Sequence, residues 1–395
     1  MKLFLLAGEP SGDKLGAALI AGLKTLRPDI EFRGVAGPLM QAQGVESLFP
    51  MEELSVMGIA EVLPRYADLK RRLIETARDA SEWAPDALIT IDSPDFSLRL
   101  ARLLKSRSSV RTVHYVAPSV WAWRSGRAKK MSTYIDQVLA LLPFEPPYIE
   151  AEGMRCDFVG HPVVSDPVAS DADVAAFRNE LNLGLSPIIL VLPGSRRAEV
   201  GRLAPIFGEA LRPLVAQYPD ARVVVPAAAP VASKVIDVVR GWPGDPFIID
   251  GREVDTTERQ KRAAFRAANV ALAASGTVSL ELAASATPMV VAYDMNWLSW
   301  QVMSRMAKVD TVTLVNLVTG RNVVPEFLGP KCKPQAIADA LRLLLENDNA
   351  RIDQTKAMAE TMQKLGQGDD PPGLRAAQAV LDGLANQFAD DEKGH

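Results

Sequence analysis

The residues best suited to chemistry lie in turns that follow apolar runs, and one such turn carries two arginines. Residues 188–192 are an unbroken apolar run, typical of a strand buried on both faces of a parallel sheet. A Pro-Gly turn follows, and then Ser195, Arg196 and Arg197. Serine can cap the next helix and arginine can meet an anion at its N-terminus, which predicts a phosphate site. The stretch lacks the Walker A and dinucleotide-binding spacings, and a capped loop without a ligand is the alternative.

A second turn carries two carboxylates. Residues 87–91 form a buried strand that ends in Asp92-Ser93-Pro94-Asp95, and a helix is expected from about residue 97 to 105. Carboxylates three residues apart in a proline-fixed turn could act as a general base on an attacking hydroxyl. The alternative is that Asp92 and Asp95 only cap the turn and the helix.

The loop at residues 8–13 follows the first predicted strand, residues 3–7, and precedes a helix expected over residues 14–26. Open α/β sheets bind their ligands at the carboxyl ends of strands. The carboxylates of Glu9 and Asp13 are poor neighbours for phosphate but good partners for sugar hydroxyls, and we expect Ser11 to contact the substrate beside them. Helix capping by Ser11 or Asp13 is the alternative.

A fourth turn, Ser275-Gly276-Thr277, follows an apolar run at residues 269–274. The glycine would let a ligand approach the backbone, and Thr277 would open a helix whose amides can hold a diphosphate. Glu281 lies one turn later on the same helix face, where a carboxylate could accept both hydroxyls of a ribose. The loop around Asn316 could carry further base or phosphate contacts.

Two basic segments also contain apolar side chains. Residues 56–78 repeat apolar side chains at helical spacing beside a basic side, with Pro64 expected to kink or break the helix. Trp123 and Arg124 open a second basic run, which suits a phosphorylated, partly apolar ligand. The first segment could bury its apolar side against the sheet, or instead contact an anionic membrane or the acyl chains of a lipid. For the second segment the alternative is a nucleic-acid patch, which the net charge and the α/β setting disfavour.

Composition narrows the classes of protein. The 395 residues are 48% hydrophobic and 23% charged, with a formal net charge of -4, which disfavours a general nucleic-acid binder. Two distant cysteines, Cys156 and Cys332, fit free thiols in the cytoplasm. With only three histidines and two cysteines, the sequence disfavours a zinc site. No apolar run is long enough to span a membrane. We expect Asp171-Ala-Asp173 to cap a helix after Ser170.

Strands alternate with helices twice along the chain, which predicts an α/β fold of two Rossmann-like, doubly wound domains facing across a cleft. We place an N-terminal domain at 1–165 and a C-terminal domain at 166–344. Helices from about 345–388 could pack back on the first domain.

Taken together, these motifs resemble the lipid-A-disaccharide synthases, inverting glycosyltransferases of the GT-B type. The resemblance covers most of the chain in order and rests on these stretches: Ala7-Gly-Glu-Pro-Ser-Gly-Asp13, Val56-Met-Gly-Ile-Ala-Glu-Val62, Ile91-Asp-Ser-Pro-Asp-Phe96, His114-Tyr-Val-Ala-Pro-Ser-Val-Trp-Ala-Trp-Arg124, Leu142-Pro-Phe-Glu145, Phe158-Val-Gly-His-Pro162, Leu192-Pro-Gly-Ser-Arg196, and Ala274-Ser-Gly-Thr277 with Glu281.

The resemblance implies that UDP-2,3-diacylglucosamine donates its sugar to the 6-hydroxyl of 2,3-diacylglucosamine 1-phosphate, giving a β-linked disaccharide phosphate and UDP. It makes Asp95 the general base, assigns the departing diphosphate to Arg196, and assigns the nucleotide to Glu281 and Asn316. It implies no cofactor and no metal, an acceptor-binding first domain and a UDP-sugar-binding second domain. The expected location is the cytoplasm, peripheral on the inner membrane, and a homodimer is compatible with the sequence.

Two other functions remain open from the sequence. A UDP-sugar 2-epimerase on the same architecture would need no lipid acceptor and gives no reason for an apolar basic surface. A non-catalytic nucleotide-sugar-binding protein would not need Asp95.

Overall fold

The structure is a computed structural model that describes residues 1–55, 59–120, 126–306 and 309–393, with the side chains of 59–64, 254–256, 298–299, 302–303 and 387–393 left out. Its strands, in chain order, are β1 Lys2–Ala7, β2 Glu31–Val35, β3 Glu46–Ser47, β4 Ala87–Ile91, β5 Arg111–Tyr115, β6 Gln137–Ala140, β7 Arg155–Phe158, β8 Ile188–Leu192, β9 Arg222–Ala227, β10 Phe247–Asp250, β11 Val270–Ala274, β12 Met289–Tyr293 and β13 Glu326–Leu328.

The α-helices alternate with these strands. They are α1 Pro10–Leu26, α2 Pro38–Ala42, α3 Ile59–Trp83, α4 Pro94–Lys105, α5 Gly126–Met131, α6 Pro146–Glu150, α7 Asp171–Glu180, α8 Arg197–Gln217, α9 Ala232–Val239, α10 Val254–Ala267, α11 Val278–Ala284, α12 Trp297–Met306, α13 Leu314–Thr319, α14 Pro334–Glu346, α15 Asp348–Lys364 and α16 Pro372–Lys393. Short 3₁₀ turns lie at Met51–Glu53, Pro162–Ser165, Ala229–Val231 and Gly329–Lys331.

The chain divides into two compact units. The first contains Met1–Ser165 and Leu365–His395, and the second contains Asp166–Lys364. In the first unit the seven parallel strands run in the order β3-β2-β1-β4-β5-β6-β7, and in the second the six strands run in the order β10-β9-β8-β11-β12-β13. Each sheet therefore grows outward in both directions from its first strand, as in a Rossmann fold. The predicted fold class, α/β with two doubly wound sheets, is confirmed.

The central strands form where the sequence is continuously apolar. Every residue of β4, β8 and β11 is buried, as expected for parallel strands covered by helices on both faces. The strand order reverses between β1 and β4 in the first unit and between β8 and β11 in the second. Loops that follow the strands at such a reversal form the crevice where doubly wound sheets bind ligands. All four turns singled out from the sequence lie at these two places.

The two C-terminal helices belong to different units. Gln354 on α15 bonds both the amide and the carbonyl of Met289 in β12, at 2.8 and 3.1 Å, so α15 packs within the second unit. Helix α16 packs on α1, where a side chain added at Gly22 would meet the carbonyl oxygen of Gly373 at 2.6 Å. The sequence placed the return to the first unit at about residue 345. In the structure the second unit extends to Lys364.

Three local predictions can be compared with the structure. Helix α3 runs without interruption through residue 64, so the expected break at Pro64 was wrong, and a kink there stays a prediction. The cap at Ser170 is confirmed, because Ser170 and Asp173 form a reciprocal capping box on α7. None of the described helices is long and apolar enough to cross a membrane.

Candidate functional site

The first unit brings together loop residues that follow β1 and β4. Glu9 is the N-cap residue of α1, and Ser11 lies in the first turn of that helix. The Ser11 hydroxyl donates to the Asp92 carboxylate at 3.4 Å, although the two residues are 81 positions apart. The loop at residues 8–13 and the Asp-Ser-Pro-Asp turn therefore meet at one crevice.

Asp13, predicted to contact substrate, has another role in the structure. Its side chain is 2% exposed, and its two carboxylate oxygens accept the backbone amides of Leu39 and Met40, each at 2.9 Å. These amides belong to the first turn of α2, where backbone N–H groups have no partner within the helix. Asp13 therefore anchors α2 to α1, and its oxygens face the protein interior. The sequence gives no signal for such hydrogen bonds, because the amides belong to residues that are distant along the chain.

Asp95 is the most accessible carboxylate at this crevice. It lies in the first turn of α4, which starts at Pro94, and its side chain is 93% exposed. Among the residues that the structure describes, Arg127 is the cation paired with it, with its guanidinium 3.9 Å from the Asp95 carboxylate. An exposed carboxylate beside one loosely held cation is free to accept a hydrogen bond from an incoming hydroxyl.

The backbone before Asp95 is strained. Asp92 and Ser93 both have positive φ values, 51° and 44°, which non-glycine residues rarely adopt. This turn directs Ser93 inward: a side chain added at Gly8 would lie 2.6 Å from the Ser93 hydroxyl, so only glycine fits there. Among the described residues, that buried hydroxyl has no hydrogen-bond partner. Strain of this kind clusters at functional sites, where the surrounding structure maintains it.

A buried histidine lies beneath the crevice. His114 on β5 is 1% exposed, and its Nδ1 shares a 2.8 Å hydrogen bond with the Thr90 hydroxyl on β4. Burial, assisted by the positive charge of Arg127, lowers the pKa of His114 to about 4. The imidazole is therefore neutral at physiological pH. Trp123 and Arg124, predicted to contact substrate from the same sheet edge, lie outside the described residues.

The second unit contains the predicted phosphate turn. Gly194 follows β8 with φ of 114°, and Arg196 is the N-cap residue of the 21-residue helix α8. Ser195 and Arg196 are both exposed at this helix start, where backbone N–H groups and the helix dipole favour an anion.

Glu199 is a residue that the sequence analysis missed. Its carboxylate accepts the Ser195 amide at 3.3 Å and the Arg196 guanidinium at 3.0 Å, and it is only 13% exposed. A side chain at Gly194 would meet it at 2.8 Å. Glu199 therefore fixes both the turn and the arginine. The available signal was an acidic residue three positions after the cap, which is the spacing of a capping box.

The turn after β11 faces the turn after β8. Gly276 has φ of 150°, and a side chain added there would find none of the described atoms within 4 Å, so its backbone borders open space. Thr277 is the N-cap residue of α11, and Glu281 one turn later is paired with Lys261 of α10 at 2.8 Å. A cavity of about 430 Å³ joins these residues to Ser195 and is lined by Gly194, Ser195, Glu199, Ser275, Gly276, Thr277, Lys261 and Glu281, among others.

Asn316 uses its side chain for hydrogen bonds within the protein, and its predicted contact with the nucleotide stays a prediction. The residue is 2% exposed, its amide oxygen accepts the backbone N–H groups of Val323 and Val324, and its amide nitrogen donates to Val324 and to Thr311. All four of its hydrogen-bonding positions are thereby used. In this way Asn316 shapes the loop that follows α13.

Comparison with known proteins identifies the family. A family model described as lipid-A-disaccharide synthetase matches residues 3–377. The chain belongs to the lipid-A-disaccharide synthase family. A synthase from Ruegeria pomeroyi is 60% identical over 97% of this chain and 96% of its own length, and one from Rhodospirillum centenum is 45% identical over 99% and 97%. The resemblance inferred from the motifs is confirmed.

Solved structures show the same fold at low sequence identity. A putative UDP-N-acetylglucosamine 2-epimerase from Listeria monocytogenes is 14% identical, with a TM-score of 0.63 over 98% of this chain and 97% of its own. The Neisseria meningitidis UDP-GlcNAc 2-epimerase bound to UDP-GlcNAc is 13% identical, with a TM-score of 0.61 over 98% and 100%. At this identity the likeness is one of fold alone.

The structure gathers most of the predicted site residues into two groups. The crevice of the first unit holds Glu9, Ser11 and Asp95, and the crevice of the second holds Ser195, Arg196, Ser275, Gly276, Thr277 and Glu281. Asp13 and Asn316 support these crevices from within. Among the described residues, no group of three or more His, Cys, Asp or Glu side chains is placed to hold a metal ion.

Proposed function

We propose that this chain transfers 2,3-diacylglucosamine from its UDP derivative to the 6-hydroxyl of 2,3-diacylglucosamine 1-phosphate, forming a lipid A disaccharide phosphate and UDP. Membership of the lipid-A-disaccharide synthase family supports this reaction over the epimerase and binding-protein alternatives. The observation that carries the proposal is the presence of complementary groups at the two strand-order reversals, a carboxylate in the first unit and an arginine-bearing phosphate turn in the second.

The first unit would bind the acceptor. A single displacement at an anomeric carbon needs one base, and Asp95 is the exposed carboxylate at the crevice. Its oxygen would accept the proton of the attacking 6-hydroxyl as the new bond forms. At the start of α1, the Glu9 carboxylate would accept hydrogen bonds from the other sugar hydroxyls, and the Ser11 hydroxyl would donate or accept them.

The second unit would bind the donor and stabilise the leaving group. Negative charge develops on the diphosphate as the glycosidic bond breaks, and preorganised cations and amides aimed at that charge lower the barrier. Arg196, the start of α8 and the turn from Ser275 to Thr277 supply them. Glu281 would accept the ribose hydroxyls, with Lys261 holding its carboxylate in place.

We further propose peripheral contact with an anionic membrane through α3. Tyr66, Lys70 and Ile74 recur every four residues on one exposed helix face, and Tyr66 and Ile74 are each 53% exposed. Arg72 does not belong to this surface, because it is paired with Glu53 at 2.8 Å. Exposed apolar groups flanked by lysine and arginine are the pattern of an interfacial helix. Sedimentation with anionic and zwitterionic vesicles tests it: Lys70→Glu with Arg71→Glu should abolish binding to the anionic vesicles.

The experiment for the reaction uses purified protein in detergent with the diacylated UDP-sugar, with and without the acylated sugar phosphate. We expect UDP release and a disaccharide lipid only when the acceptor is present. Activity on a water-soluble UDP-sugar alone would instead indicate an epimerase. UDP binding without any product would contradict the proposed transfer.

A further inference from the structure

A second, larger cavity lies beside the phosphate turn in the second unit. Its volume is about 680 Å³, within the range of small-molecule sites. The described part of its wall combines residues from the end of β12, from α12 and from the segment before β13. Its apolar lining residues are Met295, Trp300, Val309, Val312, Val324 and Leu328.

The buried polar groups of this wall are already hydrogen-bonded within the protein. The Glu326 carboxylate accepts the amides of Val312 and Thr313, at 3.1 and 2.6 Å, and Asn316 is fully engaged. Trp300 lies against Gly329, where an added side chain would meet the indole ring at 2.4 Å. Of the remaining polar lining residues, Ser304, Asp310, Asn322 and Lys331 are exposed and belong to the rim, whereas Glu199, Ser275 and Tyr293 are half-buried beside the phosphate turn. The interior of the cavity thus offers hydrocarbon contacts and few hydrogen bonds, which disfavours a bare sugar.

The larger cavity lies where a substituent attached to the diphosphate of a bound ligand would extend. Strands β11 and β12 are parallel neighbours with Ala274 paired to Ala292, so their carboxyl ends lie side by side. Glu199 and Ser275 line both cavities, Ser195 faces the smaller one and Arg196 the larger one. A ligand whose phosphates lie at this turn can therefore extend its nucleoside into one cavity and its other substituent into the next.

We propose that the larger cavity receives an acyl chain of the donor sugar. The inference rests on the proposed function, since it assumes that the donor is an acylated UDP-sugar. The Trp300 ring forms one wall, and Val312, 40% exposed, lies at the boundary between the apolar interior and solvent. Each methylene of the chain that leaves water adds to the affinity, so the cavity selects an acylated donor over a water-soluble one.

The test measures dissociation constants for UDP-N-acetylglucosamine and for a series of UDP-2,3-diacylglucosamines with short, water-soluble acyl chains, without acceptor. For the wild type we expect affinity to rise with each added methylene. Val312→Asp should remove at least tenfold of the affinity gain at the longest chain while leaving the binding of UDP-N-acetylglucosamine unchanged. Leu185→Asp is the matched control, because Leu185 is 99% exposed in the same unit and should alter neither constant.

Two results of the binding series would overturn the inference directly, and a third would contradict it through damage to the nucleotide site. One is a wild-type affinity that does not depend on chain length, and the other is a chain-length gain that survives Val312→Asp. An equal loss for both kinds of ligand would also contradict it, because it would indicate general damage to the nucleotide site. These constants are independent of turnover, so a wild type that forms no disaccharide would refute the proposed reaction while the binding series still decides what the cavity holds.

Discussion

Replacing Arg196 by alanine tests how the leaving group is stabilised. The guanidinium is held by Glu199 at 3.0 Å, yet its side chain is 64% exposed. In the ground state, solvent screening should limit its attraction for UDP to about 0.4–1 kcal/mol, a loss of roughly two- to fivefold in affinity. In the transition state the diphosphate gains charge, and a hydrogen bond to a charged group is worth about 1.5–3 kcal/mol, which corresponds to a fall of roughly 10- to 150-fold in kcat.

The assay compares kcat and the UDP dissociation constant for wild type, Arg196→Ala and Arg197→Ala. Arg197 carries the same charge one residue later, but it is absent from the described lining of both cavities. We expect Arg197→Ala to behave like the wild type. Equal losses in the two variants would show that only overall positive charge matters. A kcat that is unchanged in Arg196→Ala would refute the assignment of the leaving group to this turn.

Three further predictions concern the supports of the site. Asp13→Asn should lower the free energy of unfolding, measured in urea, by about 1.5–3 kcal/mol, because one of the two helix amides loses a charged acceptor. At urea concentrations well below the unfolding transition, kcat should stay near the wild-type value. A large fall in kcat without destabilisation would instead indicate that Asp13 contacts the substrate. Gly276→Ala should weaken UDP binding and lower the free energy of unfolding by about 1–3 kcal/mol, through strain at its positive φ. Gly241→Ala, at an open position without positive φ, should change neither UDP binding nor stability. His114 has a folded pKa of about 4 against an ordinary histidine pKa of 6.5, so its contribution to stability is complete above pH 6.5 and is lost as pH falls toward 4, by about 3 kcal/mol in all. Thermal unfolding of His114→Gln should show a flatter pH dependence over that window, and an unchanged slope would contradict this.

The sequence predicted the central strands well, because a parallel strand buried on both faces must be continuously apolar. The bounds expected for β4 and β8 match the structure. Strand β2, which lies next to the edge strand β3, and the edge strand β13 were missed, since each is short or carries exposed residues that break the apolar run. Where glycine, proline or aspartate follows a central strand, the sequence also located the turns that lie at the two strand-order reversals.

Helix starts were placed several residues too late, and the error has a common cause. Helix α1 begins at Pro10 instead of residue 14, and α4 begins at Pro94 instead of residue 97. Proline is favoured in the first turn of a helix, so the motif residues themselves form these turns. Helical periodicity becomes visible only after that turn, because the first-turn residues are mostly proline, glycine and polar residues instead of regularly spaced apolar ones.

The roles of Asp13 and Asn316 could not be predicted from their motifs. Each satisfies backbone amides, and whether such amides are available depends on the path of another segment: that of α2 for Asp13, and that of the loop before β13 for Asn316. Both side chains are buried and hydrogen-bonded within the protein, whereas Asp95 and Arg196 are exposed. The local sequence does not encode this difference in exposure.

The most direct test of the central claim is the turnover of Asp95→Asn with both acylated substrates. Asparagine keeps the size of the side chain but cannot accept the proton of the acceptor hydroxyl, so we expect kcat to fall by about 10²- to 10⁴-fold with little change in UDP affinity. The control is Asp29→Asn, an equivalent change at an aspartate that is 65% exposed elsewhere in the first unit, which should retain full activity. Disaccharide formation at the wild-type rate by Asp95→Asn would contradict the account.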